Sequence, residues 1–178
     1  AFLSNLNHQI NHPIPSLFTF NTPKNPIRGL MGLSVPQAHI RLAGTKLSYT
    51  GPLLITHWGV SGPAVLKLSA FGAKWLYDHH YRAEAIINWD VNMREEDWET
   101  VVRGMKEKHP GRKVRNYPLN ELPSRLWEFL ISESGVEMDT DFGNLSKKQI
   151  NRLVQNLFCY ILTIEGKTTF KEEFVTSG

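Results

Sequence analysis

The chain has 178 residues, 41% hydrophobic and 21% charged, with a net charge of +3. It can bury one ordinary core or two small ones, and it is too apolar for a disordered chain. So small a charge singles out neither nucleic acid nor membrane, the single cysteine, Cys159, has no internal disulfide partner, and no apolar run reaches the roughly 20 residues of a membrane span. A cytoplasmic protein is expected.

In chain order, Ala1 to Asn7 reads as the end of a helix, and Ile10 to Phe20 as extended, because Pro13 and Pro15 exclude helix and Ser16 to Phe20 alternates. Asn21 to Met31, with Pro23, Pro26 and Gly29, is a loop; Val35 to Tyr49 is a hairpin turning near Ala43-Gly44. The stretch from Gly51 to Trp75 organises the rest. It predicts a buried strand from Leu53 to Thr56, a tight turn through Gly59, and a helix over 61–79 capped by Ser61 with Pro63 in its first turn. That helix is apolar nearly all round, apart from Lys67, Lys74 and Asp78, so strands should surround it. Ala83 to Trp89 is a further strand.

Three amphipathic helices follow. The first is capped by Asn92 with Glu95, the second runs from about Glu121 to Ser134 and stops at Gly135, and the third is capped by Ser146 with Gln149. Tyr160 to Ile164 and Lys171 to Thr176 return to strand. The expected fold is α+β: a barrel-like sheet wrapped on a central helix (residues 1–90 with 160–178) plus a three-helix subdomain (91–159). A chain that opens inside a helix end and stops after a strand reads as a piece of a longer polypeptide.

Gly59-Val60-Ser61-Gly62 imitates a nucleophile elbow, but Pro63 stands where that turn needs glycine, so a serine hydrolase using Ser61 is the weaker reading beside helix capping. A helix N-terminus there could also hold an anion. His57-Trp58 offers a polar group and a flat apolar wall to a small molecule, against the plainer reading of a hydrogen-bonded imidazole beside a half-buried ring. His8 and His12 have ligand spacing without a helix to use it, and Asp139 to Gly143 lacks the glycine and terminal glutamate of a calcium loop, so no metal site is expected. The crowded acids Glu95, Glu96, Asp97 and Glu99 suit a helix dipole better than catalysis. The basic run Arg103, Lys106, Lys108, Arg112, Lys113 and Arg115 is ordinarily a solvated face, and a polyanion or RNA contact in the alternative. There is no dinucleotide or P-loop glycine motif.

The wording of Gly51 to Ala70, with Pro15-Ser-Leu17, Gly32-Leu-Ser34 and Phe170 to Gly178, resembles the bacterial FAD-dependent oxidoreductases that include the aminoacetone oxidases. In that family a Rossmann-type FAD domain is interrupted by an insert, and this chain resembles the insert. The resemblance implies that Thr56, His57, Trp58, Gly59, Ser61 and Gly62 lie near flavin or substrate in the full-length parent, packing and hydrogen-bonding while the cofactor carries the redox step. It implies no catalytic residue and no bound FAD in this chain alone. The expected partners are the FAD domain of the same polypeptide and a small-molecule substrate, with no nucleic acid and no membrane.

Overall fold

The computed structural model describes residues 13–169 and 175–177. The expected helix at Ala1 to Asn7, the His8/His12 pair and most of the last strand lie outside the described residues. The fold is α+β, as the residue pattern predicts.

The chain enters on β1 (Ile14–Ser16) and turns at Leu17, whose φ of 56° ends the strand. The alternation read through Ser16 to Phe20 therefore spans two strands in different sheets. β2 (Thr19–Asn21) joins the main sheet, whereas β1 pairs antiparallel with β9 (Val175–Ser177), Ile14 opposite Ser177. A 3-10 turn at Pro26–Leu30 forms inside the predicted loop, with the Asn25 side chain accepting from Ile27 N. The predicted hairpin is β3 (Ser34–Leu42) and β4 (Ser48–Ile55), with a bulge between Val35 and Ala38. β5 (Gly59–Ser61) folds back on β4.

The helix expected over 61–79 is two helices, α1 (Pro63–Phe71) and α2 (Ala73–Asp78), broken at Gly72. Gly72 presses on the barrel wall: a Cβ there would lie 3.0 Å from the Leu68 carbonyl oxygen and 3.2 Å from a Leu42 methyl. The cap is Gly62, at φ 91°, with no side-chain hydrogen bond; Ser61 is instead the last residue of β5, so its assignment as the cap is corrected. Pro63 does occupy the first helical position. Ala64, Val65 and Leu68 of α1 are buried under β3, β4 and β2, and Leu76 of α2, the helix that packs on β1, is buried as well, each large side chain contributing about 1.5–3 kcal/mol of burial. The opposite side is open: Phe71 is 74% exposed and Tyr77 50%, on the face that carries Lys67 and Lys74. The strands flank this helix pair without enclosing it.

After β6 (Arg82–Asn88), α3 (Glu95–Lys108) is capped by Arg94 with Asp97, not by Asn92 with Glu95. α4 (Ser124–Glu133) starts three residues later than expected, behind Pro123, and α5 (Lys147–Phe158) carries the predicted Ser146/Gln149 box. The last run of strand closes the architecture. β7 (Tyr160–Glu165) pairs with β6 at one edge of the seven-stranded sheet and β8 (Lys167–Thr168) with β2 at the other, yet only Gly166 separates them. One bent strand thus joins both edges, and the sheet becomes a barrel.

Candidate functional site

The β4–β5 turn gathers the predicted site residues by backbone bonding. Thr56 N donates to Gly59 O at 2.8 Å, Gly59 N returns to Thr56 O at 3.3 Å, and the Thr56 hydroxyl accepts from the Trp58 and Gly59 amides. Two residues remain at the tip, His57 and Trp58. Their rings lie 4.3 Å apart, and Trp58 is 44% exposed. The Trp58 carbonyl accepts from Thr22 N, which ties the tip to the end of β2.

Gly59 and Gly62 are glycines for steric reasons. A Cβ on Gly59 would fall 2.2 Å from the Phe20 carbonyl oxygen, and one on Gly62 would fall 2.9 Å from that of Pro52. Protein backbone already fills both spaces, so these glycines position the turn rather than line a phosphate cradle. Ser61 sits behind the tip, its Oγ accepting from the Thr19 hydroxyl at 3.1 Å. No histidine is hydrogen-bonded to it among the described residues. The Thr22 hydroxyl, against Gly59, is buried without a partner.

The underside of the turn is held by residues that local sequence reasoning missed. Arg28 donates from Nε to His57 O at 2.6 Å and from Nη1 to Pro23 O at 2.5 Å. Arg125, from α4, donates to Gly29 O at 3.2 Å. Asn25 caps the 3-10 turn between them and accepts from the Tyr160 hydroxyl at 2.9 Å. Burial pushes the Tyr160 phenol up to about 12, so it remains a donor at neutral pH. Residues 28 and 125 are too far apart in sequence for any spacing rule to pair them; Asn25-Pro26, a helix-start signal, was the one legible trace.

The basic run looks different in space. Arg103 bridges Glu99, Lys113 bridges Asp141, Arg115 reaches Asp139, and Arg112 stacks on Tyr117 with 4.6 Å to the ring centroid. Lys106 donates to the Leu145 carbonyl. Much of its charge is internally compensated. Among the described residues no cluster of histidine, cysteine and carboxylates could hold a metal, and no helix is long and apolar enough to cross a membrane.

A family model described as the HI0933-like protein barrel and H2TH domain matches residues 14–175. The chain belongs to this family. An HI0933-like domain is a flavoprotein-family domain, which agrees with the resemblance carried by Gly51 to Ala70. This HI0933-like domain is similar to the ribosomal RNA dihydrouridine synthase of Haemophilus influenzae, 28% identical over 90% of the chain and 37% of that protein. It is also similar to the protein of the same name in Escherichia coli, at 26% identity with the same coverage. The 3-dehydro-bile acid delta(4,6)-reductase of Clostridium scindens is 22% identical over the whole chain and 44% of its own length. The chain thus spans about two fifths of the length of these curated relatives.

Proposed function

We propose that this chain is the substrate-side, flavin-covering insert of an FAD-dependent oxidoreductase, and that it is catalytically silent alone. One observation carries the insert reading. β1 and β9 pair antiparallel, Ile14 against Ser177, so the segments that enter and leave the domain run side by side. A domain placed between two points of a host chain needs that geometry, because the host must continue from where it was interrupted. In this reading residues up to 90 and from 160 onward form the roof and residues 91–159 a helical annex.

The host supplies the Rossmann-type loop for the FAD pyrophosphate. Thr56, Gly59, Ser61 and Gly62 fix the turn, and His57 and Trp58 present a hydrogen-bonding edge and a flat wall toward flavin or substrate. The relatives' names share a chemistry: making dihydrouridine and reducing a delta(4,6) steroid both add hydrogen across a carbon–carbon double bond. Reduced flavin would supply the hydride and solvent reaching the site the proton, and this domain would orient the acceptor. The hydrolase alternative has no support in the hydrogen bonding of Ser61.

The test is a titration of the purified chain with FAD, followed by flavin absorbance and fluorescence. A cooperatively folded chain that binds no FAD is the expected outcome. Tight stoichiometric binding would mean the cofactor site is complete here and would overturn the reading.

A further inference from the structure

We propose that the outward face of α1 and α2, centred on Phe71 and Tyr77, is the surface by which this domain docks on the host domain of the same polypeptide. The proposal rests on the insert reading above and goes beyond it by naming a second contact, separate from the flavin-side turn.

The exposed large apolar side chains fall into three groups. Met31, Leu54 and Trp58 lie at or beside the end of β4 and the turn already assigned to flavin or substrate. Val91, Val101 and Ile161, at 37–47% exposure, come one each from a turn, α3 and β7, and scattered residues of this kind are ordinary surface. Phe71 and Tyr77 are different. Phe71 is the most exposed large apolar residue among those described, and Trp75, between them in sequence, is only partly buried and stacks on His79 at 3.9 Å. All three belong to one helix pair whose other face is core. The sheet is already closed by β7 and β8, and the described chain places nothing over these two rings.

Position identifies the occupant. α1 begins where β5 ends, behind the turn, and α2 packs on β1, the strand by which the chain enters the domain. β1 in turn pairs with β9, the strand by which it leaves. The open face therefore runs from the flavin-side turn to the junction, and a host joined at β1 and β9 that reaches the turn must pass over it. The chain covers 37% of the Haemophilus influenzae relative, so the larger part of such a polypeptide is left to supply the opposite surface.

That opposite surface is apolar at its centre. Lys67 donates to the Tyr49 hydroxyl at 2.7 Å and Lys74 bridges Asp78 at 3.1 Å, so both ammonium groups are engaged at the rim while the Phe71 ring stays open. An aromatic centre with a polar rim is the usual anatomy of an interface. Little area is needed, because a covalent tether holds the two domains at an effective concentration of about millimolar.

The test compares maleimide labelling of single cysteines in this chain and in the full-length parent, both carrying Cys159→Ser. Phe71→Cys and Tyr77→Cys should react about ten-fold or more slowly in the parent, because the face must first open. Val101→Cys should react equally in both. Phe71→Glu should leave the melting temperature of this chain unchanged and lower that of the parent by about 3 °C or more, with Val101→Glu changing neither. Equal labelling of position 71 in chain and parent, or a loss of stability as large in this chain as in the parent, would overturn the proposal. Protection in the isolated chain that grows with its concentration would assign the face to a second copy and overturn it as well. The flavin spectrum of the parent is read separately: a parent without bound flavin refutes the oxidoreductase reading while position 71 still decides the docking face, whereas a flavin-loaded parent labelled as fast as this chain refutes the docking face alone.

Discussion

At the scale of single residues, Gly59 is the most constrained position of the candidate site. Its missing side chain lets the turn lie against the end of β2, and any Cβ there meets the Phe20 carbonyl and the Thr22 amide, at 2.2 and 2.9 Å. Gly59→Ala should therefore destabilise the fold by about 3 kcal/mol or more, because backbone on both sides must move; a chemical-denaturation curve with an unchanged midpoint would contradict this. The same residue shows what the sequence could reveal. Gly59 and Pro63 were readable as a turn leading into a helix because glycine and proline are local signals, whereas the contacts with residues 20 and 22 that exclude a Cβ at Gly59 were not readable. Ser61 was misassigned as a cap because its partner, Thr19, lies across a strand pair that no local rule anticipates. Arg28 and Arg125 were invisible for the same reason, while the dense run at 103–115 drew notice by composition without revealing the acids that compensate it.

At the scale of elements, helices were legible where their signals were local. Ser146 and Gln149 form the predicted reciprocal cap, with Gln149 N donating to the Ser146 hydroxyl at 3.2 Å and Ser146 N donating to the Gln149 side-chain Oε1 at 3.0 Å. Gln149 also donates to Gly135 O at 2.8 Å, which ties the start of α5 to the end of α4. Ser146→Ala should cost about 1 kcal/mol, and Gln149→Ala should add to it by loosening that second link; additive effects no larger than the single cap would refute the link. The central helix was read as apolar nearly all round apart from Lys67, Lys74 and Asp78, and it packs against the barrel strands as that pattern implies. What the pattern did not show is that Phe71 and Tyr77 face outward beside that stripe and that Gly72 divides the element.

At the scale of the whole molecule, sheet and helices share one core. Trp89, at the end of β6, donates through Nε1 to Asn156 O at 3.0 Å and packs on Tyr160, while its amide bonds Leu157 O. The buried cluster runs from Phe18 in the barrel through Trp98, Trp127 and Leu157 in the helices. A single unfolding transition is expected, with tryptophan fluorescence and far-ultraviolet circular dichroism coinciding; two separated transitions would show that the parts are thermodynamically independent.

The bend at Gly166 also bears on the order of events during folding. The strand that seals the barrel follows the three long helices, and its contacts reach back across the chain: the Thr168 hydroxyl bonds the Asn21 side chain 147 residues earlier. Closing so long a loop costs entropy before any ladder bond compensates it, and high contact order of this kind slows folding. On the ribosome, β2 must wait with an open edge until β8 has emerged. The barrel is the first part of the described chain to be synthesised and the last to be finished.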